Sequence, residues 1–285
     1  MTFGSFIFMA VDHYENFPVA SWLLPARMRP AVAAIYAFAR SADDIADEGT
    51  ASAEERVTQL NLYLQELDAI EKNQPAGLPV FGQLAPVITA YHLPLAPFRA
   101  LISAFIQDTN TTRYDNYAAL LNYCERSANP VGQIMLHLFQ SATEKQVKEA
   151  DAICTALQLI NFWQDIAIDW EKQRVYIPKE DLQRFGLSED DIRMRRTGPD
   201  WSAMMRFQTQ RTRELMNSGS ALATRLPGRF GWELRLVIQG GLRILEKIDA
   251  VNGDIFQHRP VLNKADWLLM LWRALRMRAS AAPTQ

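Results

Sequence analysis

Two acidic runs with one-turn spacing are the part of this 285-residue chain best suited to chemistry. In Arg40-Ser41-Ala42-Asp43-Asp44-Ile45-Ala46-Asp47-Glu48, Asp43 and Asp47 stand at i and i+4 and share one face of a helix. In Asn161-Phe162-Trp163-Gln164-Asp165-Ile166-Ala167-Ile168-Asp169, the residues Asn161, Asp165 and Asp169 repeat that spacing as a single stripe. Like charges one turn apart cost about 0.2–0.5 kcal/mol on an exposed helix, and more when partly buried, unless a cation sits between them. Around the second run stand Leu157, Leu159, Ile160, Phe162, Trp163, Ile166 and Ile168, so an apolar helix presents a narrow file of oxygen donors. Oxygen-only donors suit Mg²⁺, which keeps part of its water and shares phosphate oxygens of a substrate. Either run alone also fits a solvated face neutralised by arginine; two runs on apolar helices favour metal, with Asp43, Asp47, Asp165 and Asp169 expected to converge on one metal site.

Cations accompany both runs. Arg40 precedes Asp43 by three residues and Asp44 by four, and Arg174 and Tyr176 follow the second run in Gln173-Arg174-Val175-Tyr176-Ile177-Pro178. Metal and arginine together would clamp an anionic group. A plain i,i+4 ion pair with Asp44 accounts for Arg40 equally well.

The elements that must position these residues are helices. Apolar positions recur with helical period, and alternating β-branched runs are nearly absent, which makes the class all-α. The periodicity predicts helices over about 30–48, 52–71, 80–91, 95–107, 116–140, 144–170, 201–224, 231–251 and 264–278, good to ~2–4 residues at each end. Gly and Pro collect in 73–79, 173–178, 197–199 and 226–228 and mark breaks, none long enough for an interdomain linker. A single domain over 1–285 is the expected organisation. The charged stretch 173–196, with short helical pieces at Pro178 and Ser188, is a candidate flap over a site.

Composition bounds the function. With 48% hydrophobic and 22% charged residues the chain is an ordinary globular one, and 30 basic against 32 acidic residues give no global attraction to nucleic acid. Two cysteines, Cys124 and Cys154, supply neither a disulfide scaffold nor a zinc pair. The longest apolar runs, 31–39 and 267–272, are far too short to span a bilayer, and residues 1–11 lack the basic start of a signal peptide. The expected location is the cytoplasm. In the final helix, Trp267, Leu268, Met270, Leu271, Trp272 and Leu275 accompany Arg273, Arg276 and Arg278, a pattern that fits a peripheral membrane contact or a core-packed last helix. His92 and His258 adjoin prolines and are expected at the surface, and His137 among Leu136, Leu138 and Phe139 in the core.

The stretch Ala34-Ile35-Tyr36-Ala37-Phe38-Ala39-Arg40 leading into Asp43 and Asp47 resembles the first aspartate-rich helix of the squalene and phytoene synthase family. Leu157-Gln158-Leu159-Ile160-Asn161 leading into Asp165 and Asp169, then Arg174 to Pro178, resembles its second, and the likeness covers roughly residues 13–245. The resemblance implies the all-α isoprenoid synthase fold, in which two aspartate-rich helices face a central apolar cavity. It implies Mg²⁺ binding by Asp43, Asp47, Asn161, Asp165 and Asp169, diphosphate contacts from His13, Tyr36, Arg40, Gln158, Arg174 and Tyr176, and a central catalytic tyrosine at Tyr123.

The chain departs from condensing members at His13-Tyr14-Glu15-Asn16-Phe17-Pro18, which lacks their serine-rich stretch. It departs again at Glu125-Arg126-Ser127-Ala128-Asn129-Pro130 after Tyr123-Cys124, and at Gln164, where Arg is common. This text is most similar to a bacterial branch, the hydroxysqualene synthases of hopanoid pathways. The resemblance implies ionisation of presqualene diphosphate and capture of the rearranged cation by water, with neighbouring pathway enzymes as partners. The alternative is a head-to-head prenyltransferase joining two prenyl diphosphates; a helical scaffold without activity has little use for both acidic runs. Polar residues after Tyr123 suggest a water held near the cation, with Asn129 the first choice, since an amide orients water without adding charge. A helix kink at Asn129-Pro130 explains the same residues.

Overall fold

The computed structural model describes residues 25–277. Among them the regular structure is helical, with one isolated bridge pairing Arg113 and Val175. Backbone contacts divide the chain into two compact units, Met1–Thr109 and Asn110–Gln285.

In the first unit, α1 (Arg29–Asp47) packs on α2 (Ala53–Glu71), α3 (Pro79–Tyr91) and α4 (Leu95–Asp108). Ala31, Ile35, Phe38, Ala42 and Ala46 recur at helical spacing and are all buried. Phe38 meets Phe81 and Phe98 edge-on at 5.5 and 5.4 Å between ring centres, and Tyr63 closes the cluster. Burying this face fixes the rotation of α1, which leaves Arg40, Asp43, Asp44 and Asp47 away from the core. The helix that follows starts with a capping box, the Ser52 hydroxyl accepting from the Glu55 N–H and the Glu55 carboxylate from the Ser52 N–H.

The second unit is built round α7 (Glu144–Gln164). It packs against α5 (Tyr117–Ser127), α6 (Asn129–Leu138), α11 (Pro199–Gly219), α12 (Leu222–Arg225) and α13 (Gly228–Ala250). Glycine makes two of these approaches possible: a Cβ on Gly132 would lie 2.7 Å from the Cys154 sulfur, and one on Gly219 2.3 Å from the Glu149 carbonyl oxygen. Trp163 is fully buried and its indole N–H donates to Thr212 across the α7–α11 contact at 2.8 Å. The last helix, α14 (Lys264–Arg276), lies on α13.

Three helices expected to be continuous are broken, the one over 201–224 ending at Gly219 and restarting at Leu222. The one over 116–140 stops at Ser127 and restarts at Asn129, because Pro130 has no N–H for the Arg126 carbonyl and disfavours helical geometry before it. The one over 144–170 breaks at Asp165 (φ −112°, ψ 13°) and resumes as α8 (Ile166–Glu171). No Gly or Pro marks the break at Asp165. The stretch 173–196 forms α9 (Lys179–Arg184) and α10 (Glu189–Arg193) and is pinned down rather than loose. Buried Asp181 accepts from Arg211 at 2.6 Å and Gln208 at 3.0 Å, Arg211 lies 3.6 Å over the Tyr117 ring, and Glu180 accepts the Tyr117 N–H at 2.6 Å. His92 and His258 are exposed as expected, whereas His137 is only half-buried. No described helix is long and apolar enough to cross a membrane.

Candidate active site

The acidic run of α1 lies near solvent. Asp43 and Asp44 keep 46% and 41% of their side-chain surface, and Asp47 is exposed. Arg40 gathers them: its guanidinium lies 3.3 Å from Asp43, 2.8 Å from Asp44 and 2.8 Å from Glu48. The i,i+4 pair with Asp44 expected for Arg40 is present, beside contacts to Asp43 and Glu48. Tyr36, one turn before Arg40, is half-buried.

The second run is buried. Asp165 and Asp169 are 3% and 9% exposed, and Gln158 and Asn161 are half-buried. Although the helix breaks at Asp165, the Asp165 N–H still donates to the Asn161 carbonyl and the Asp169 N–H to the Asp165 carbonyl, both at 2.9 Å. Those i→i−4 bonds keep the three oxygen-bearing side chains in register across the break. Asp165 meets a cation from far along the chain, the Arg259 Nε, which donates to its Oδ1 at 2.7 Å. The segment carrying Arg259 is tied to the same break, because the Gln164 amide donates to the Pro260 carbonyl at 2.6 Å.

Beside this run lies an aromatic stack. Tyr176 lies face to face on Phe162 at 3.7 Å and 7°, with Tyr123 stacked 6.3 Å from Phe162 and Tyr114 stacked 5.9 Å from Tyr176. The backbone explains the meeting: the Arg174 N–H donates to the Asp169 carbonyl at 2.8 Å, and the Val175 N–H to the Thr112 carbonyl at 2.9 Å. Tyr176 is thereby fixed between the end of the acidic run and the strand-like turn that carries Tyr114. Phe162 follows Asn161 directly, so π-faces and oxygen donors border the same length of helix.

Asn129 is buried at the start of α6, and its side-chain oxygen accepts from the Thr155 hydroxyl of α7 at 2.8 Å. Burial raises the Cys124 thiol well above its ordinary range and the Cys154 thiol to about 12, so both are packing groups and not nucleophiles. His13 and the text to Pro18 lie outside the described residues. Among the described residues, no three His, Cys, Asp or Glu side chains form a ready-made metal cluster. That is compatible with Mg²⁺, which takes one or two carboxylates and completes its shell with water and phosphate oxygens.

The chain matches the squalene/phytoene synthase family over residues 10–266. It belongs to that family. A hydroxysqualene synthase of Rhodopseudomonas palustris is 31% identical over 263 residues, covering 92% of this chain and 88% of that one. The crystal structure of a squalene synthase from Alicyclobacillus acidocaldarius is similar with a TM-score of 0.78 and 36% identity, over 84% of this chain and 90% of that one. A dehydrosqualene synthase at 21% identity shares the fold, with a TM-score of 0.77 over 89% and 88% of the two chains. The all-α class read from the sequence and the isoprenoid synthase fold implied by the resemblance are both borne out.

Squalene/phytoene synthases are enzymes that act on prenyl diphosphates. Two neighbours of the acidic run escaped the sequence reading. Arg259 reaches Asp165 from 94 positions away, and Tyr114 joins the stack where backbone pairing brings 112–114 beside 175–179. Neither carries a spacing signal, because the contacts that bring them in are tertiary.

Proposed function

We propose that this protein is a hydroxysqualene synthase, which ionises presqualene diphosphate with Mg²⁺ and captures the rearranged cation with water. One observation carries the reading: the Asn161–Asp165–Asp169 file, with Asn161 half-buried and both aspartates buried, runs alongside the stacked rings of Phe162, Tyr176, Tyr123 and Tyr114. Such a border suits a substrate that loses an anion at one end and becomes a carbocation at the other.

The donor set fits the metal, being oxygen throughout: Asp43, Asp47, Asn161, Asp165 and Asp169 would hold it. Bound Mg²⁺ supplies neutralisation of the charge that develops on the leaving diphosphate. Arg40, Arg174, Gln158, Tyr36, Tyr176 and His13 bind and orient that group. The carbon–oxygen bond breaks with its electron pair leaving on the diphosphate. The cyclopropylcarbinyl cation rearranges against the aromatic faces, Tyr123 among them, to an allylic cation. Water adds to it and gives up a proton, so hydroxysqualene and diphosphate are released. Asn129 orients that water; its Thr155 bond holds the amide in one orientation. Residues 1–285 act as one catalytic domain, cytoplasmic and in peripheral contact with the inner membrane. Partner enzymes supply the cyclopropyl diphosphate and consume the hydroxylated product.

The 36% identity to a squalene synthase favours a second reading, condensation of two prenyl diphosphates. Purified protein given presqualene diphosphate and Mg²⁺, with and without NADPH, separates them. Hydroxysqualene in both reactions, with farnesyl diphosphate alone left intact, supports the first; consumption of farnesyl diphosphate supports the second.

A further inference from the structure

Helix α14 is bound on one side and bare on the other. Toward α13 it buries Met270 and Ala274, and its Asp266, 3% exposed, is paired with Arg243 and Lys247 at 2.7 Å each. Arg273 adds a 2.5 Å contact to Glu246. This ionic seam fixes the rotation of the helix. The opposite side carries Leu268, Leu271, Trp272 and Leu275, which are 71%, 45%, 50% and 67% exposed. Their spacing of i, i+3, i+4 and i+7 makes one continuous stripe. They are half of the eight large hydrophobic side chains exposed among the described residues.

The charges of α14 divide in the same way. Its one acidic residue, Asp266, is buried in ion pairs, while its exposed charged residues, Lys264 and Arg276, are both cations. They stand at the two ends of the stripe, and the Arg276 guanidinium lies 4.0 Å over the Trp272 ring. An apolar stripe whose own helix exposes only cations, on a chain of formal charge -2, is complementary to a bilayer carrying anionic headgroups. A second copy is a poorer occupant: antiparallel pairing of two identical stripes sets Lys264 of each against Arg276 of the other.

We propose that the outer face of α14 docks the protein on an anionic lipid surface, Leu268, Leu271, Trp272 and Leu275 entering the headgroup boundary and Lys264 and Arg276 meeting phosphates. The proposal deepens the peripheral contact in the functional reading by naming its surface, but it stands on the helix alone, and its test does not use turnover.

The full chain is sedimented with vesicles of phosphatidylcholine and of phosphatidylcholine mixed with phosphatidylglycerol. Expected are retention on the anionic vesicles, weakening in high salt, and a loss of partitioning of ~10-fold or more in the folded Leu268→Glu/Leu275→Glu variant. Equal partitioning of the two proteins, or none by the unsubstituted chain, overturns the proposal. So does a dimer in light scattering that the double variant dissolves, since the face would then belong to a second copy. Should the double variant fail to fold, Leu275→Cys with an environment-sensitive dye replaces it. The raised pKa values of Cys124 and Cys154 direct the reagent to the new thiol. A blue shift with anionic vesicles supports docking, and an unchanged spectrum refutes it.

Discussion

On α1, Asp43 and Asp44 retain nearly half of their side-chain surface, whereas across the α7–α8 break Asp165 retains 4% of its own. Spacing is the same; relief of repulsion is not. The first run relies on water and on Arg40 a turn away, an arrangement written within nine consecutive residues. The second excludes water and takes its cation from Arg259, 94 positions along the chain, held in place by the Gln164–Pro260 bond. One acidic pattern can thus be either a solvated face with a local partner or a buried file completed by the tertiary structure. The proposed function makes activity depend on both runs, while the difference in burial makes stability depend mainly on the second.

The largest effect expected is on turnover. Replacing Asp165 or Asp43 by Asn should lower Mg²⁺-dependent turnover of presqualene diphosphate by ~10³-fold or more, the scale of losing a group that stabilises developing charge. Full activity in either variant would mean that its run takes no part in the chemistry.

Stability should then separate the runs. Asp165→Ala strips a nearly buried ion pair and should cost about 1–3 kcal/mol in denaturant unfolding, reduced from the fully buried value because Arg259 is 43% exposed. Asp43→Ala should stay within about 0.5 kcal/mol. Equal costs would erase the distinction drawn here.

A double-mutant cycle sharpens it further. Coupling between Arg259 and Asp165 should exceed that between Arg40 and Asp43, and 1 M salt, with a Debye length of about 3 Å, should remove the second and spare most of the first. Coupling energies that fall alike in salt would show both pairs to be surface pairs.

The smallest effect concerns a third carboxylate, Asp266. Burial alone would raise its pKa, but Lys247, the Asn263 N–H and Arg243 outweigh it and hold the group at about 2, below its ordinary 3.8. A folded-state pKa below the unfolded one contributes stability above pH 3.8 that is lost as the pH falls toward 2. Unfolding midpoints of the wild type and Asp266→Asn should therefore converge over that window and differ by a constant amount above it. A gap that does not close in acid would deny the ionic seam of α14 its part.

The helices of α1–α4 were legible because burial of one face imposes a period that the sequence must carry, as Ala31, Ile35, Phe38 and Ala42 do. The Asn129-Pro130 break carries its own signal in the missing N–H of proline. The break at Asp165 does not, since it follows no Gly or Pro and leaves the flanking i→i−4 bonds intact. Five positions at acidic spacing were visible in the text, while Tyr114 and Arg259 were not, because a backbone bridge and a returning loop deliver them. The outward stripe of α14 was readable as a composition, but which side was bare depended on where Asp266 found its partners.

The most direct test of the central claim follows the oxygen. Purified protein is incubated with presqualene diphosphate and Mg²⁺ in ¹⁸O-labelled water without NADPH, and the extracted product is analysed by mass spectrometry. The account predicts hydroxysqualene with one labelled hydroxyl oxygen, lost together with turnover in Asp165→Asn. Hydrocarbon product alone, unlabelled alcohol, or no reaction while farnesyl diphosphate is consumed would contradict it.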